Sequence, residues 1–329
     1  MRRITFTSES VDKCQLIFGK DLINSLPQSI RIVDSGFKKV YGKMLKDEYL
    51  MPGGEHIKSI DRVFEIYQLV RTSKSKAITV IGGGSIIDLV GYASAGHTEI
   101  EKLFLFPTTT VSQIMPAVNG FGVNFEFVKD LLSSRGLPNK VFIDSSISYW
   151  SYSHLSRSDF LFPLLVALSF DKRLFKYLFN HLVSGSEVSA ELWDDVIFSS
   201  VKAYLRGIEI GKSVVGEEIG RHIETASRLR AENQVSLIVG GMIELRLAEE
   251  LGACDNRIVE DFFRSVKLLW KKDWTSRIDM SSLVDLIDQK GGVRISMPDG
   301  ELDKTLFVEA TVFERFVREK TWRGLESFV

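Results

Sequence analysis

The chain has 329 residues, 44% hydrophobic and 26% charged, which is more than one ordinary core needs and suits two domains of a folded globular protein. With 42 basic and 43 acidic residues and no long basic run interleaved with aromatics, nucleic acid is not expected as a main partner. The N-terminal MRRITFTSES lacks the apolar stretch of a signal peptide, and no run of about 18 apolar residues occurs, so the expectation is a cytoplasmic protein with no membrane partner. Cys14 and Cys254 are far apart and lack any CxxC or Cys/His spacing, so structural burial is the reading for them.

In chain order, the apolar run IRIVD (30–34) predicts a strand, followed by a charged helix through Lys46 and an extended EYLMP. Ile57, Ile60, Val63, Ile66, Tyr67 and Val70 recur at helical spacing and lead into a buried strand from Ala77 to Ile81. That strand ends at Gly82-Gly83-Gly84, Ser85 to Ala95 reads as a helix, and LFLFPTTT supplies a further strand ending in hydroxyl residues. Val118 to Lys129, with alternating aromatics and glycines, predicts a hairpin, and KVFID (140–144) closes the sheet. SSISYWSYSHLSRSD reads as a connection between domains. Beyond it the periods are helical, as in DFLFPLLVALSFDKRLFKYLF, apart from a short hairpin at VRISMPDGELDKTLFV. The expected fold is α/β: an N-terminal doubly wound, largely parallel, Rossmann-like sheet over residues 1–147 and a mostly α-helical domain over 148–329.

The strongest local signal is VIGGGSIIDL, three glycines between a buried strand and a helix. Such a turn lets a pyrophosphate approach the backbone, and the free N–H groups at the helix start favour negative charge. A tight turn without a ligand is the competing reading, since the spacing is not GxGxxG. Asp34, at its strand's C-terminal end, can accept hydrogen bonds from ribose hydroxyls or cap the next helix. Glu55 and Lys58 in GGEHIK suit hydroxyls and phosphate, or stand as solvated charges. Thr108 and Thr109 follow a buried strand where open α/β sheets bind ligands, or cap a turn.

Taken together, GGEHIK, GGGSIIDLVGY, LFLFPTTTVSQ, VKDLL and VFID resemble, in order and spacing, the 3-dehydroquinate synthases and related sugar-phosphate cyclases. The resemblance implies an NAD site drawn from Asp34, Glu55, Lys58, Gly83, Gly84, Ser85, Asp88, Thr108 and Thr109, with Lys129 at the cofactor and substrate cleft. It thins after residue 144, where GEEIGRHIE, LIVGGMIELRLAEELG and Asp288-Gln289-Lys290 continue it; Lys129 and Lys290 are the implied substrate contacts. It also implies a phosphorylated sugar substrate, a homodimer and a place in the shikimate route to aromatic amino acids.

The departures from the family are concentrated. Met115, and Phe121 or Gly122, stand where it has an aspartate and a lysine facing the substrate. The divalent metal expected from the family, usually zinc, needs one glutamate and two histidines, and these positions read Phe162, Glu217 and Gln234, with Arg221 replacing a further histidine. No metal ligands are assigned. Glu217, Glu218, His222 and Asp159 are the alternative set from which a site could be rebuilt, although a Glu/His pair four residues apart is more often a surface interaction. Oxidising a sugar hydroxyl and eliminating phosphate requires a Lewis acid or strong donors for the developing alkoxide. Three readings follow: a dehydroquinate synthase-like, phosphate-eliminating lyase with a degraded site, a non-catalytic NAD-binding relative, and an NAD-dependent polyol or sugar-phosphate dehydrogenase.

Overall fold

A computed structural model describes residues 2–7, 13–41, 48–270, 278–299 and 305–319. The chain divides into two compact units, Met1–Ser151 and Tyr152–Val329.

The first unit contains β1 (Arg2–Thr7), β2 (Lys13–Phe18), β3 (Ile30–Asp34), α1 (Ser35–Tyr41), β4 (Glu48–Met51), α2 (Ile60–Ser73) and β5 (Ala77–Gly82). There follow α3 (Gly84–Ala95), β6 (Lys102–Pro107), α4 (Thr110–Ile114), β7 (Phe121–Phe125), β8 (Val128–Ser134) and β9 (Lys140–Ile143), and α5 (Ser145–His154) runs across the division between the units. Seven strands form one sheet in the order β1-β2-β9-β6-β5-β3-β4, parallel throughout except for the β1–β2 pair. Ile32, Ile78, Val80, Leu105 and Phe106 are fully buried, as expected for central parallel strands covered on both faces. The α/β expectation is therefore met.

The antiparallel edge is new. β1 (RRITFT) carries only Ile4 and Phe6 as apolar residues, too weak a pattern to read as a strand, whereas β2 (KCQLIF) buries Cys14, Leu16, Ile17 and Phe18. Cys14 on β2 is completely buried, and that burial pushes its thiol up to about 12, so it packs as an inert apolar group. The segment read as a connection is largely helix, α5, extended by a 3-10 turn at Arg157–Phe160. The charged helix expected through Lys46 is α1 to Tyr41, and residues 42–47 lie outside the described ones.

The β7–β8 hairpin pairs only with itself. Its turn falls at Glu126 and Phe127, both left-handed at φ 48° and 66°, rather than at the glycines. Gly122 instead lies opposite Ser133, and a Cβ there would be 2.4 Å from Asp130 Oδ1, so the glycine makes room for that carboxylate.

The second unit holds α6 (Leu161–Phe170), α7 (Lys172–Val183), α8 (Ala190–Glu209), α9 (Glu217–Ala226) and α10 (Asn233–Glu250). α11 (Asn256–Leu269), α12 (Met280–Gln289), the antiparallel pair β10 (Gly292–Ser296) and β11 (Thr305–Glu309), and α13 (Ala310–Arg318) complete it. Every residue of α6 is buried, which makes it the central helix of this core. The run beginning DFLFPLL breaks at Asp171, whose carboxylate accepts the Leu174 N–H at 3.0 Å and so caps α7. α9 and α10 meet backbone to backbone: a Cβ on Gly220 would stand 2.9 Å from Ser236 O, and one on Gly216 2.3 Å from Gly241 N.

Candidate functional site

β3, β5 and β6 end side by side at Asp34, Gly82 and Pro107, the edge at which open parallel sheets bind ligands. Gly83 begins α3 in extended conformation, no side chain caps that helix, and no acidic residue occupies its first turn. A Cβ on Gly84 would meet nothing within 4 Å, so the helix start is open to an anion. Thr109 flanks it, since a Cβ on Gly83 would lie 3.2 Å from Thr109 Cγ2. The Thr109 hydroxyl also serves α4 in a reciprocal capping box with Ser112. Thr108 is buried and its N–H donates to Gly82 O at 3.0 Å. Asp34 takes up its capping role: Oδ1 accepts the Gly36 and Phe37 N–H groups at 2.6 and 3.1 Å, and Oδ2 faces Gly53, where a Cβ would be 2.4 Å away.

Beside this edge lies a cluster of charges. Glu55 opens the 3-10 turn Glu55–Ile57, and its Oε1 accepts from Lys129 Nζ at 2.6 Å and Asn124 Nδ2 at 3.0 Å. Its Oε2 accepts from Ser85 Oγ at 2.7 Å. Lys58 is 1% exposed, and its Nζ donates to Asp88 Oδ2 at 2.8 Å and Asp130 Oδ1 at 2.5 Å. Asn124 completes the ring by accepting the Asp130 N–H at 2.9 Å. Glu55, Lys58, Ser85, Asp88 and Lys129, singled out from sequence, therefore lie in one hydrogen-bonded group. Asn124 and Asp130 were not singled out. The only available signal was the adjacency of Asp130 to Lys129, since neither the position of the hairpin turn nor the twist that brings Asn124 to Glu55 is legible from spacing.

Burial alone would raise the Glu55 carboxyl, but the Lys58 and Lys129 ammonium groups outweigh it and hold Glu55 far below the usual carboxylate range. Burial works against the Lys58 charge in the same way, and Asp88, Glu55 and Asp130 together raise that lysine well above its ordinary value. Asp88 is the exception: burial, reinforced by Asp130, raises its carboxyl despite Lys58. With three carboxylates and two ammonium groups the fully ionised cluster carries a net charge of −1 (2 − 3). It offers acceptors to ribose or polyol hydroxyls next to a helix start that favours phosphate. These residues fit a nicotinamide dinucleotide.

The positions where the resemblance places Asp and Lys are closed to that chemistry. Phe121 is buried with its ring on α3, where a Cβ added to Gly91 would be 2.0 Å from Phe121 Cδ1.

In the second unit the residues do not fit a divalent metal. Gln234 Nε2 donates to Asp159 Oδ1 at 3.2 Å and Ser158 O at 3.4 Å, and Phe162 is completely buried in α6. Arg221 spans Glu217 and Glu218, each at 3.3 Å. His222 Nδ1 donates to Glu218 O at 2.7 Å, which leaves Nε2 to accept from Lys290 Nζ at 3.0 Å, so both ring nitrogens are engaged. The alternative set Glu217, Glu218, His222 and Asp159 is thus not assembled, and no group of three metal-ligating side chains occurs among the described residues. Burial, with Lys290 and Arg221 nearby, lowers the His222 pKa and keeps the ring neutral, which suits its role as acceptor from lysine.

Residues 48–150 match the family described as 3-dehydroquinate synthase N-terminal. The chain is 25% identical over 235 residues to the 3-dehydroquinate synthase of Saccharolobus solfataricus, covering 67% of this chain and 66% of that protein. It is 26% identical over 259 residues to that of Sulfurisphaera tokodaii, 73% of each. Its fold is that of 2-epi-5-epi-valiolone synthase from Streptomyces hygroscopicus subsp. jinggangensis, solved with NAD+ and Zn2+ bound, at TM-score 0.78 and 18% identity, covering 98% of this chain and 100% of that one. A 2-deoxy-scyllo-inosose synthase complexed with carbaglucose-6-phosphate, NAD+ and Co2+ follows at TM-score 0.76 and 19% identity, covering 97% and 99%. By the family match over residues 48–150 and the relatives at 25 and 26% identity, the chain is similar to the 3-dehydroquinate synthases.

Proposed function

We propose that this chain binds NAD through its first unit and has given up the divalent-metal chemistry of its dehydroquinate synthase relatives. The observation that carries the reading is the uncapped, open glycine start of α3 beside the Glu55–Lys58 cluster. In this reading the pyrophosphate takes the N–H groups of Gly83, Gly84 and Ser85. Asp34, Glu55 and Asp88 accept from hydroxyls, and Lys58, Lys129, Thr108 and Thr109 supply charge and donors. When bound, NAD supplies a hydride acceptor for a sugar hydroxyl. The NAD+ carried by the two cyclase structures of the same fold supports the assignment. The loss of metal chemistry rests on Gln234, Phe162, Glu217 and His222, each committed to internal contacts that a metal would have to break. A homodimer is the assembly we propose, by the default of metabolic enzymes.

A second reading keeps catalysis: conversion of 3-deoxy-D-arabino-heptulosonate 7-phosphate to 3-dehydroquinate with release of phosphate. Its support is Lys290, held by neutral His222 as a fixed cation suited to an anionic group of a phosphorylated sugar. Calorimetry on metal-stripped protein, first with NAD+ and then with zinc in its presence, separates the two. NAD+ binding without zinc binding, and no phosphate release from the heptulosonate phosphate, is the expected result. One zinc per chain, or metal-dependent phosphate release, overturns the first reading. Net accumulation of NADH during turnover would instead mark a polyol or sugar-phosphate dehydrogenase. Failure to bind NAD+ would sink all three.

A further inference from the structure

The second unit contains a cavity of about 500 Å³ that the NAD reading leaves unused. Its volume falls in the range of small-molecule sites. Tyr152, Phe160 and Trp270 give it aromatic walls, with Leu182 and Val188 behind them. The walls are braced: Tyr152 stacks on the buried Trp193 with ring centroids 4.6 Å apart, and Phe160 lies 6.2 Å from Tyr152.

Besides Ser156, Ser158 and Ser186, two polar side chains interrupt this apolar lining, His181 and Arg157. His181 Nε2 is buried and has no hydrogen-bond partner. The nitrogen has less than 1 Å² of accessible surface, so a ligand completes it once the His181 ring turns toward the cavity, a change favoured because buried polar groups in native folds are nearly always paired. Arg157, at the start of the 3-10 turn, is the one formally charged side chain on the lining, and it makes no hydrogen bond or ion pair among the described residues. A guanidinium without a carboxylate partner, on the same lining as His181 and the aromatic side chains, is complementary to a small anion with a planar apolar body.

We propose that this cavity binds a small aromatic monocarboxylate, its ring against Tyr152, Phe160 and Trp270 and its carboxylate held by Arg157 and by the Nε2–H tautomer of His181. The site lies wholly within the second unit and does not depend on the NAD reading. The test is calorimetry and saturation-transfer NMR on the full chain with phenylacetate and with phenylacetamide, its neutral counterpart of the same shape. Phenylacetate is expected to bind about tenfold more tightly than the amide. Arg157→Gln, an exposed change with little effect on the fold, is expected to bring the two level. His181→Phe is expected to weaken phenylacetate about tenfold without lowering the Tm, since it removes an unpaired buried nitrogen. Absence of saturable phenylacetate binding up to about 10 mM, equal affinities for acid and amide, or affinities unchanged in both variants would overturn the proposal.

Discussion

Lys58 Nζ donates to Asp130 Oδ1 across 2.5 Å, joining residues 72 positions apart and tying the turn ahead of α2 to the β7–β8 hairpin. The hairpin shares no ladder with the main sheet, so this contact and the Asn124–Glu55 bonds do the work that strand pairing does elsewhere. Lys58→Met leaves Asp88 and Asp130 beside each other with their shared cation gone. Removing one partner from a buried ionic group costs about 3–5 kcal/mol. We expect chemical denaturation to show a loss of that size, together with loss of NAD+ binding. A cost below about 1 kcal/mol, the range of an exposed pair, would contradict the buried geometry.

Asp130→Asn tests the same pair from the other side. Asparagine keeps an oxygen for Lys58 and the backbone N–H for Asn124, and removes only the charge. The cost should be no more than about 1 kcal/mol, because one neutral acceptor replaces a charged one. The Asp88 carboxyl, raised by burial and by Asp130, should move down toward its ordinary range, as carboxyl 13C titration would show. An unchanged Asp88 titration would mean that the two carboxylates are not coupled.

Much of this architecture is legible in the amino-acid sequence. The Ile/Val/Phe runs at 30–34, 77–81 and 103–106 announce buried parallel strands because they need no polar face, and the glycines after the second announce an anion-tolerant turn. What stayed hidden depended on tertiary placement. β1 has only Ile4 and Phe6 as apolar residues and is held by pairing with β2, whose buried Cys14, Leu16, Ile17 and Phe18 lie beside β9. Asn124 and Asp130 enter the cluster only because Glu126 and Phe127 adopt left-handed backbone without a glycine to signal it. Helical spacing offers His222 and Glu218 only as an alternative ligand pair, and the His222 ring turns to Lys290, 68 residues away, a contact that spacing does not show.

Glu244 gives a pH signature. It is completely buried on α10, its Oε1 accepts the Ile219 N–H at 3.3 Å and its Oε2 the Ser296 N–H at 3.0 Å. Burial pushes its carboxyl up to about 8 in spite of those donors. Between its ordinary value of 4.5 and about 8 the folded chain holds a proton that the unfolded chain has released, so this group's contribution to stability falls as pH rises. The slope it adds is at most about 1.4 kcal/mol per pH unit. Glu244→Gln cannot titrate, and its amide nitrogen cannot accept one of the two N–H groups. It should be less stable than the parent by about 1–3 kcal/mol near pH 5, with the gap narrowing toward pH 8 in urea melts. A gap independent of pH would show that Glu244 is ionised throughout.

The Phe121 ring occupies the space a side chain at residue 91 would need. Gly91→Ala should therefore cost about 1–3 kcal/mol through overpacking, even though alanine is the better helix former. Phe121→Leu in the same chain should recover part of that loss, because the smaller side chain frees the space. If the two changes are additive in thermal melts, the ring does not rest on α3.

Lys290→Met isolates the remaining contact. The ammonium both donates to His222 Nε2 and, with burial, lowers the His222 pKa, while the Glu218 backbone oxygen and carboxylate act to raise it. A histidine whose folded pKa is depressed is neutral in the fold while the unfolded chain binds a proton, so its contribution to stability is present above about pH 6.5 and lost as pH falls. Removing the lysine charge takes away one cause of the depression. The His222 resonances in Lys290→Met should titrate at higher pH than in the parent, and the acid limb of the stability profile should become shallower. Arg221, on the same helix, also lowers the His222 pKa, so Arg221→Gln should move it the same way by less, because it is the smaller cause. If both variants leave the His222 titration in place, burial alone sets it and the lysine is a bystander rather than a cation held by a neutral ring.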